Sequence, residues 1–317
     1  MTSAIPTREE GRGTAATTTS ATRTRFAPAP TGFLHLGHVA NGLWVWGTAR
    51  RAGATVLLRI EDHDRVRSRA TFADGIVEDL AWLGFTPDEG PVRQTDPDGD
   101  AAARAALDRL ADDGLVYRCG CTRSRFAAWA RQHGSEWTGP GCPGACRTGA
   151  LPGDAATSLR VALGAGTEAW DDLVLGASVG DVAASGDLVA RDRDGNWTYA
   201  FSVVVDDLRQ EVDLIVRGED LLPDTARQIR LGRCLGRPQP ARFLHHPLVR
   251  KASGAKLSKT DGDTGVRDLR LAGWSPARVR ARAGEVGFVP VEIVDAAGRG
   301  SRCGAEPDGS VRAAGRD

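Results

Sequence analysis

Arg25-Phe-Ala-Pro-Ala-Pro-Thr-Gly-Phe-Leu-His35-Leu-Gly37-His38 decides the fold of this 317-residue chain. Phe26-Ala27-Pro28 reads as a short strand running into a Pro/Gly loop. From Val39 a helix follows, with Val39, Leu43, Trp46 and Arg50 on one face and Gly53 as its stop. The loop therefore delivers two imidazoles, His35 and His38, to a helix N-terminus. Imidazole donates to phosphate oxygens, Gly37 lets backbone approach a ligand, and the helix points its positive end at the same place. Taken alone, the tetrapeptide reads equally well as two satisfied loop histidines.

A second short motif lies far downstream, Lys256-Leu-Ser-Lys259-Thr260, on a Gly/Ser-rich loop. In isolation Lys-x-x-Lys is usually a solvated turn. Paired with the first motif, its two ammonium groups complete a grip on a triphosphate.

Between the motifs the order is strand, helix, strand, helix. Residues 56–60 form an apolar run bounded by charge, expected as a buried strand. Phe72, Ile76, Leu80 and Leu83 align on a helix ended by Gly84, and 101–111 reads as another helix. This alternation predicts an α/β fold with a parallel sheet. Residues 197–205 and 212–217 read as strands and 221–235 as a helix.

The expected divisions follow from these breaks. Residues 1–23 read as a disordered leader, with Glu9 and Glu10 arguing against a transit peptide. Residues 24–116 and 191–289 are two halves of a nucleotide-binding domain, interrupted by 117–190. Residues 290–317, rich in Gly, Ala and Arg, read as a poorly ordered tail.

Lys plus Arg and Asp plus Glu number 41 each, so any nucleic-acid surface must be a local basic patch. No apolar run approaches the roughly 20 residues of a membrane span, and no signal segment opens the chain. A cytoplasmic monomer is expected. In that compartment cysteines are more often ligands than disulfides. Cys119-Gly-Cys121 and Cys142-Pro-Gly-Ala-Cys146 set two close thiol pairs on Gly/Pro-rich turns, as a tetrahedral Zn²⁺ requires. Four thiolates leave no open position, so such a zinc is structural. Cys234 reads as a buried helix residue and Cys303 as part of the tail.

The stretch 25–38 resembles the first signature of class I aminoacyl-tRNA synthetases, most closely the glutamate- and glutamine-handling branch. Lys256-Leu-Ser-Lys259-Thr260 resembles their second signature. The resemblance implies a Rossmann-like parallel-sheet catalytic domain. It implies that His35, Gly37, His38 and Lys259 bind ATP, taken with Mg²⁺, and that Lys256 and Lys259 stabilise the departing pyrophosphate. Arg59-Ile-Glu61-Asp62-His-Asp64, Thr198-Tyr199-Ala-Phe-Ser-Val-Val-Val-Asp206-Asp207 and Val216-Arg217-Gly218 are similar to glutamyl-type enzymes. There Arg25, Phe26, Ala27, Pro28, Ala29, Glu61, Tyr199 and Arg217 match glutamate-site positions, Glu61 holding the ammonium. His245 and His246 are expected to support the second signature loop.

A zinc-bearing insertion, with only a few dozen residues after Lys259, resembles the glutamyl-Q tRNA(Asp) synthetases. That family implies activation of L-glutamate without tRNA, then transfer to queuosine in the anticodon loop of tRNA(Asp). Its zinc motif usually has a Tyr where Cys142 stands here. Ala29 replaces a common Ser, and His38 stands where glutamyl enzymes often carry a small residue. Alternatives are a truncated glutamyl-tRNA synthetase charging the tRNA 3′ end and a non-catalytic zinc RNA-binding paralogue.

Overall fold

The first strand, β1 (Arg23–Phe26), is followed by α1 (Leu36–Ala52), as the opening motif requires. A computed structural model describes residues 22–134, 142–149, 156–249 and 265–297. Gly53 closes α1 at φ 64°, a left-handed turn that costs glycine least. Next come β2 (Thr55–Ile60), α2 (Ala70–Leu83), β3 (Glu89–Arg93) and α3 (Pro97–Asp112). All pairings among β1, β2 and β3 are parallel, in the order β1-β2-β3. The central strand β2 is buried because 56–60 is a nearly continuous apolar run.

The 117–190 stretch is not one body. Its strands are β4 (Val116–Cys119), β5 (Ser158–Val161), β6 (Thr167–Asp172), β7 (Gly176–Asp181) and β8 (Leu188–Arg191), with α4 (Arg123–Gln132) after β4. β4, β5 and β8 make a small antiparallel sheet of their own. The β6–β7 hairpin instead joins the second half of the domain.

That half contains α5 (Tyr199–Arg209), β9 (Leu214–Gly218), a 3-10 turn (Glu219–Asp224), α6 (Thr225–Cys234) and β10 (Arg242–His246). Its sheet order is β7-β6-β10-β9, with β9, β10 and β6 parallel. β9 starts against β1: Asp213 N–H donates to Arg23 O at 3.1 Å, and Arg23 N–H to the Asp213 carboxylate at 2.8 Å. The parallel strands thus run β3-β2-β1 and outward again through β9-β10. Strand order reverses between β1 and β9, where an open α/β sheet puts its ligand crevice.

Two expectations change. The strand expected at 197–205 is the helix α5, opened by Thr198. Phe201, Val204, Val205 and Leu208 follow the helical period. The helix also brings Asp206 and Asp207 to buried ion pairs, each 3% exposed, so tertiary contacts override β-branched propensity. The tail expected from 290 begins with a helix. Three helices close the described chain, α7 (Val266–Leu271), α8 (Pro276–Val286) and α9 (Val291–Ala297). α9 packs on α1 at Gly47, where a Cβ would run into the Ile293 carbonyl oxygen. α1 is consequently buried on most sides, from Val39 to Ala49. Among the described residues no helix is long and apolar enough to cross a membrane.

Candidate active site

His35 is the N-cap of α1. Its Nδ1 accepts Gly37 N–H at 3.1 Å, and His38 Nδ1 accepts His35 N–H at 3.1 Å. A nitrogen that accepts carries no proton, so each neutral imidazole keeps its hydrogen on Nε2 as a donor. The rings lie 3.9 Å apart, and the first turn holds no acidic residue. The arrangement therefore attracts an anion. Where the described chain resumes after residue 264 it meets the same place: Val266 N–H donates to Leu34 O at 2.9 Å. Lys256 and Lys259 lie outside the described residues.

At the crevice between β1 and β9 opens a cleft of about 480 Å³, lined among others by Arg25, Ala29, His38, Glu61, Tyr199 and Arg217. Ala27 also faces it. Two of the expected glutamate-site residues do not line it. Phe26 packs in the core, 5.2 Å from the Trp46 ring, and the Pro28 carbonyl holds Glu61 N–H at 3.0 Å.

The floor is a buried charge cluster. Asp207 accepts from Arg25 Nε at 3.0 Å and Arg59 Nη1 at 2.8 Å, while Arg59 Nη2 reaches Glu61 at 3.0 Å. Burial opposes ionisation of Asp207, but Arg25 and Arg59 outweigh it and hold its carboxyl below the ordinary value. Glu61 goes the other way, because burial outweighs its guanidinium neighbours and raises it. Two guanidiniums and two carboxylates balance.

Arg217 is left over. It is 5% exposed, and all its described partners are neutral: His245 Nε2 at 3.1 Å, Gln228 Oε1 at 2.6 Å and Thr225 Oγ1 at 2.8 Å. Among the described residues no carboxylate lies within ion-pair distance of it. Burial accordingly lowers its pKa. His245 is fixed from behind by Asp172, whose carboxylate lies 2.6 Å from Nδ1. Nδ1–H therefore donates and Nε2 accepts from Arg217, and burial keeps the ring neutral by lowering its pKa. His245 thus braces Arg217; the signature loop that it was expected to support lies outside the described residues. Asp172, Thr225 and Gln228 escaped notice, since they belong to no motif; Asp207 lay inside one and drew no role.

The four cysteines do converge. The Sγ atoms of Cys119, Cys121, Cys142 and Cys146 lie within 4.8 Å of one another, and all are free thiols. A tetrahedral zinc with sulfur at about 2.3 Å needs edges near ~3.8 Å; Cys121 lies 4.0 Å from Cys142 and 3.2 Å from Cys146. Hydrogen bonding from Cys119 pushes Cys142 down to about 4, whereas burial pushes Cys121 up to about 12. Asp187 ties the site together, accepting from Tyr117 Oη at 2.6 Å and Arg147 Nε at 2.8 Å. The donor set fits a soft divalent metal.

Residues 21–286 match the family described as class I tRNA synthetases (E and Q), catalytic domain. A glutamyl-Q tRNA(Asp) synthetase of Burkholderia cenocepacia is 44% identical over 279 residues, covering 86% of this chain and 92% of that protein. One from Symbiobacterium thermophilum is 43% identical over 269 residues, 80% of this chain and 83% of its own length. Among solved structures, a glutamate tRNA ligase from Elizabethkingia meningosepticum, in complex with its amino acid, is 26% identical with a TM-score of 0.64. The match covers 80% of this chain and 54% of that one, so this chain spans about half its length.

Proposed function

Since the chain belongs to the class I glutamyl- and glutaminyl-tRNA synthetase family, we propose that it activates L-glutamate with ATP. The glutamyl group then passes to queuosine in the anticodon loop of tRNA(Asp). The observation that carries the glutamate reading is Arg217, a buried guanidinium whose described partners are all neutral. The cleft floor is neutral without it and carries one positive charge with it. Glutamate carries one net negative charge. Its side-chain carboxylate pairs with Arg217, with Arg25 and Tyr199 alongside, and its ammonium meets Glu61.

ATP, entering with Mg²⁺, lays its phosphates on the N-terminus of α1, where the Nε2–H groups of His35 and His38 donate and Gly37 gives access. An oxygen of the glutamate α-carboxylate attacks the α-phosphorus, the bond to the bridging oxygen breaks, and pyrophosphate leaves. Lys256 and Lys259 stabilise the charge on that leaving group. No side-chain nucleophile is needed; positioning and fixed positive charge lower the barrier. Cys119, Cys121, Cys142 and Cys146 hold Zn²⁺, which braces the small antiparallel sheet.

Glutamate-dependent ATP–pyrophosphate exchange without tRNA tests the first step, and absence of exchange in zinc-loaded protein overturns it. Labelled glutamate offered with tRNA(Asp) whose 3′ end has been oxidised tests the second. Retained labelling supports transfer to the anticodon; lost labelling makes the chain a 3′-end charging enzyme.

A further inference from the structure

A second cleft adjoins the first. It holds about 260 Å³ and is lined by His63, Arg65, Gln94, Arg104, Arg191 and Trp197, among others. His63 borders both clefts. Its ring is pinned there, with Nδ1 2.7 Å from Gln94 Oε1, while Gln94 Nε2 donates to Asp206 at 2.8 Å. Whatever enters the second cleft meets the glutamate site across one imidazole.

The lining combines cations with an aromatic face. Arg191 Cζ sits 4.7 Å over the Trp197 ring, and among the described residues its guanidinium donates to the Gly195 carbonyl alone. Trp197 is held edge-on by Asp100, which accepts its Nε1–H at 2.8 Å, and stacks on Phe201 at 5.4 Å. Two of the carboxylates here are engaged, Asp100 also by Arg104 at 2.6 Å and Asp206 by Arg209 at 2.7 Å. Asp194 is the third. Arg65 has no carboxylate within ion-pair distance among the described residues.

Arg65 and Thr95 also line an open groove of about 390 Å³ with Arg69, Arg93, Ser68 and Asp62. Asp62 is taken up by Thr95, whose N–H and hydroxyl donate to it at 3.0 and 2.8 Å, and by Arg93 at 3.4 Å. Among the described residues the Arg69 guanidinium donates to the carbonyls of Val66 and Ser68 and to no carboxylate. The result is a local positive strip on a chain of zero net charge. A cationic groove leading to an aromatic platform is how proteins hold single-stranded nucleic acid.

We propose that the two grooves form one RNA track. The inner cleft seats the acceptor nucleoside against the Arg191 guanidinium that lies over Trp197, facing the His63 boundary, and the outer groove carries the flanking phosphates on Arg65, Arg69 and Arg93. This deepens the reading above and rests on its claim that the acceptor lies in an RNA loop.

The test is binding of a queuosine-containing tRNA(Asp) anticodon stem-loop, followed by fluorescence anisotropy across a salt series, with glutamate-dependent exchange measured in parallel. The Arg65→Gln/Arg69→Gln variant should bind about tenfold more weakly. Its log affinity against log salt should flatten by about 1.4, at ~0.7 per lost phosphate contact on a single strand. Arg65→Lys/Arg69→Lys should keep the wild-type slope. Trp197→Leu removes the ring that holds the Arg191 plane in place and should weaken binding about tenfold with the slope unchanged, as loss of one stacked base predicts. Wild-type affinity and slope in the Gln variant would overturn the track even if exchange is intact. Binding through the track by a protein that shows no glutamate exchange would uphold it and overturn the glutamate reading instead.

Discussion

Arg217→Gln should cripple glutamate recognition by an amount that can be counted from its hydrogen bonds. A guanidinium has five N–H donors. Nε–H goes to His245, one Nη1–H to Gln228 and one Nη2–H to Thr225. Among the described residues these three bonds leave one N–H on each terminal nitrogen, with the Tyr199 hydroxyl beside them, and together the two N–H groups form the fork that matches a carboxylate. Two hydrogen bonds to a charged group at about 1.5–3 kcal/mol each give about 3–6 kcal/mol. At ~1.4 kcal/mol per decade, KM for glutamate should rise on the order of 10²–10⁴-fold in the tRNA-free exchange assay. Arg217→Lys keeps the charge but loses the fork, so it should recover part of the loss and not all of it. Discrimination against glutamine should fall with the charge, since the amide has none to lose. Thermal melting of each variant separates lost recognition from lost fold. A rise in KM below about fivefold for Arg217→Gln, in protein that melts as wild type does, would refute the assignment of the side-chain carboxylate to this guanidinium.

Asp79 on α2 is 1% exposed, and among the described residues its two oxygens accept no hydrogen bond and its nearest ion-pair partner, Arg267, is 3.8 Å away. Burial pushes its carboxyl from the ordinary 3.8 up to about 6. A raised acid costs nothing below pH 3.8, where both states are protonated; stability falls as pH rises towards 6 and stays reduced above it. Asp79→Asn should therefore stabilise the protein by up to about 3 kcal/mol at pH 7.5, with no gain at pH 3.5, as read by urea unfolding. Cys146→Ser should abolish stoichiometric zinc, measured by elemental analysis of the purified protein, and lower the melting temperature. Gly47→Ala should cost about 1–3 kcal/mol in the same unfolding assay, because its methyl meets the α9 backbone.

The parts of the site that could be read from the chain were those whose chemistry is local. His35 and His38 cap the helix that carries them, so three residues of spacing already specify their geometry. Cys119 with Cys121 and Cys142 with Cys146 are each bound into one turn, and only the meeting of the two turns needed the fold. What stayed hidden was assembled over distance. The ion pair from Arg25 to Asp207 spans 182 positions, and the bond from His245 to Asp172 spans 73. Reading 197–205 as a strand also hid the reason for Asp207: on a strand it would sit across the sheet from Asp206 with no common buried face. As a helix, α5 turns Asp206 towards Gln94 and Asp207 towards the guanidiniums of β1 and β2. Composition misled at 290 for a related reason. Alanine and glycine suit disorder and close helix packing equally, and Gly47 on α1 is what selects the packed state for α9. The consequence for the site is specific. Arg217 can stay uncompensated only because Asp207 is spent on Arg25 and Arg59, so the pairing that hid from the sequence is what leaves one positive charge for the substrate.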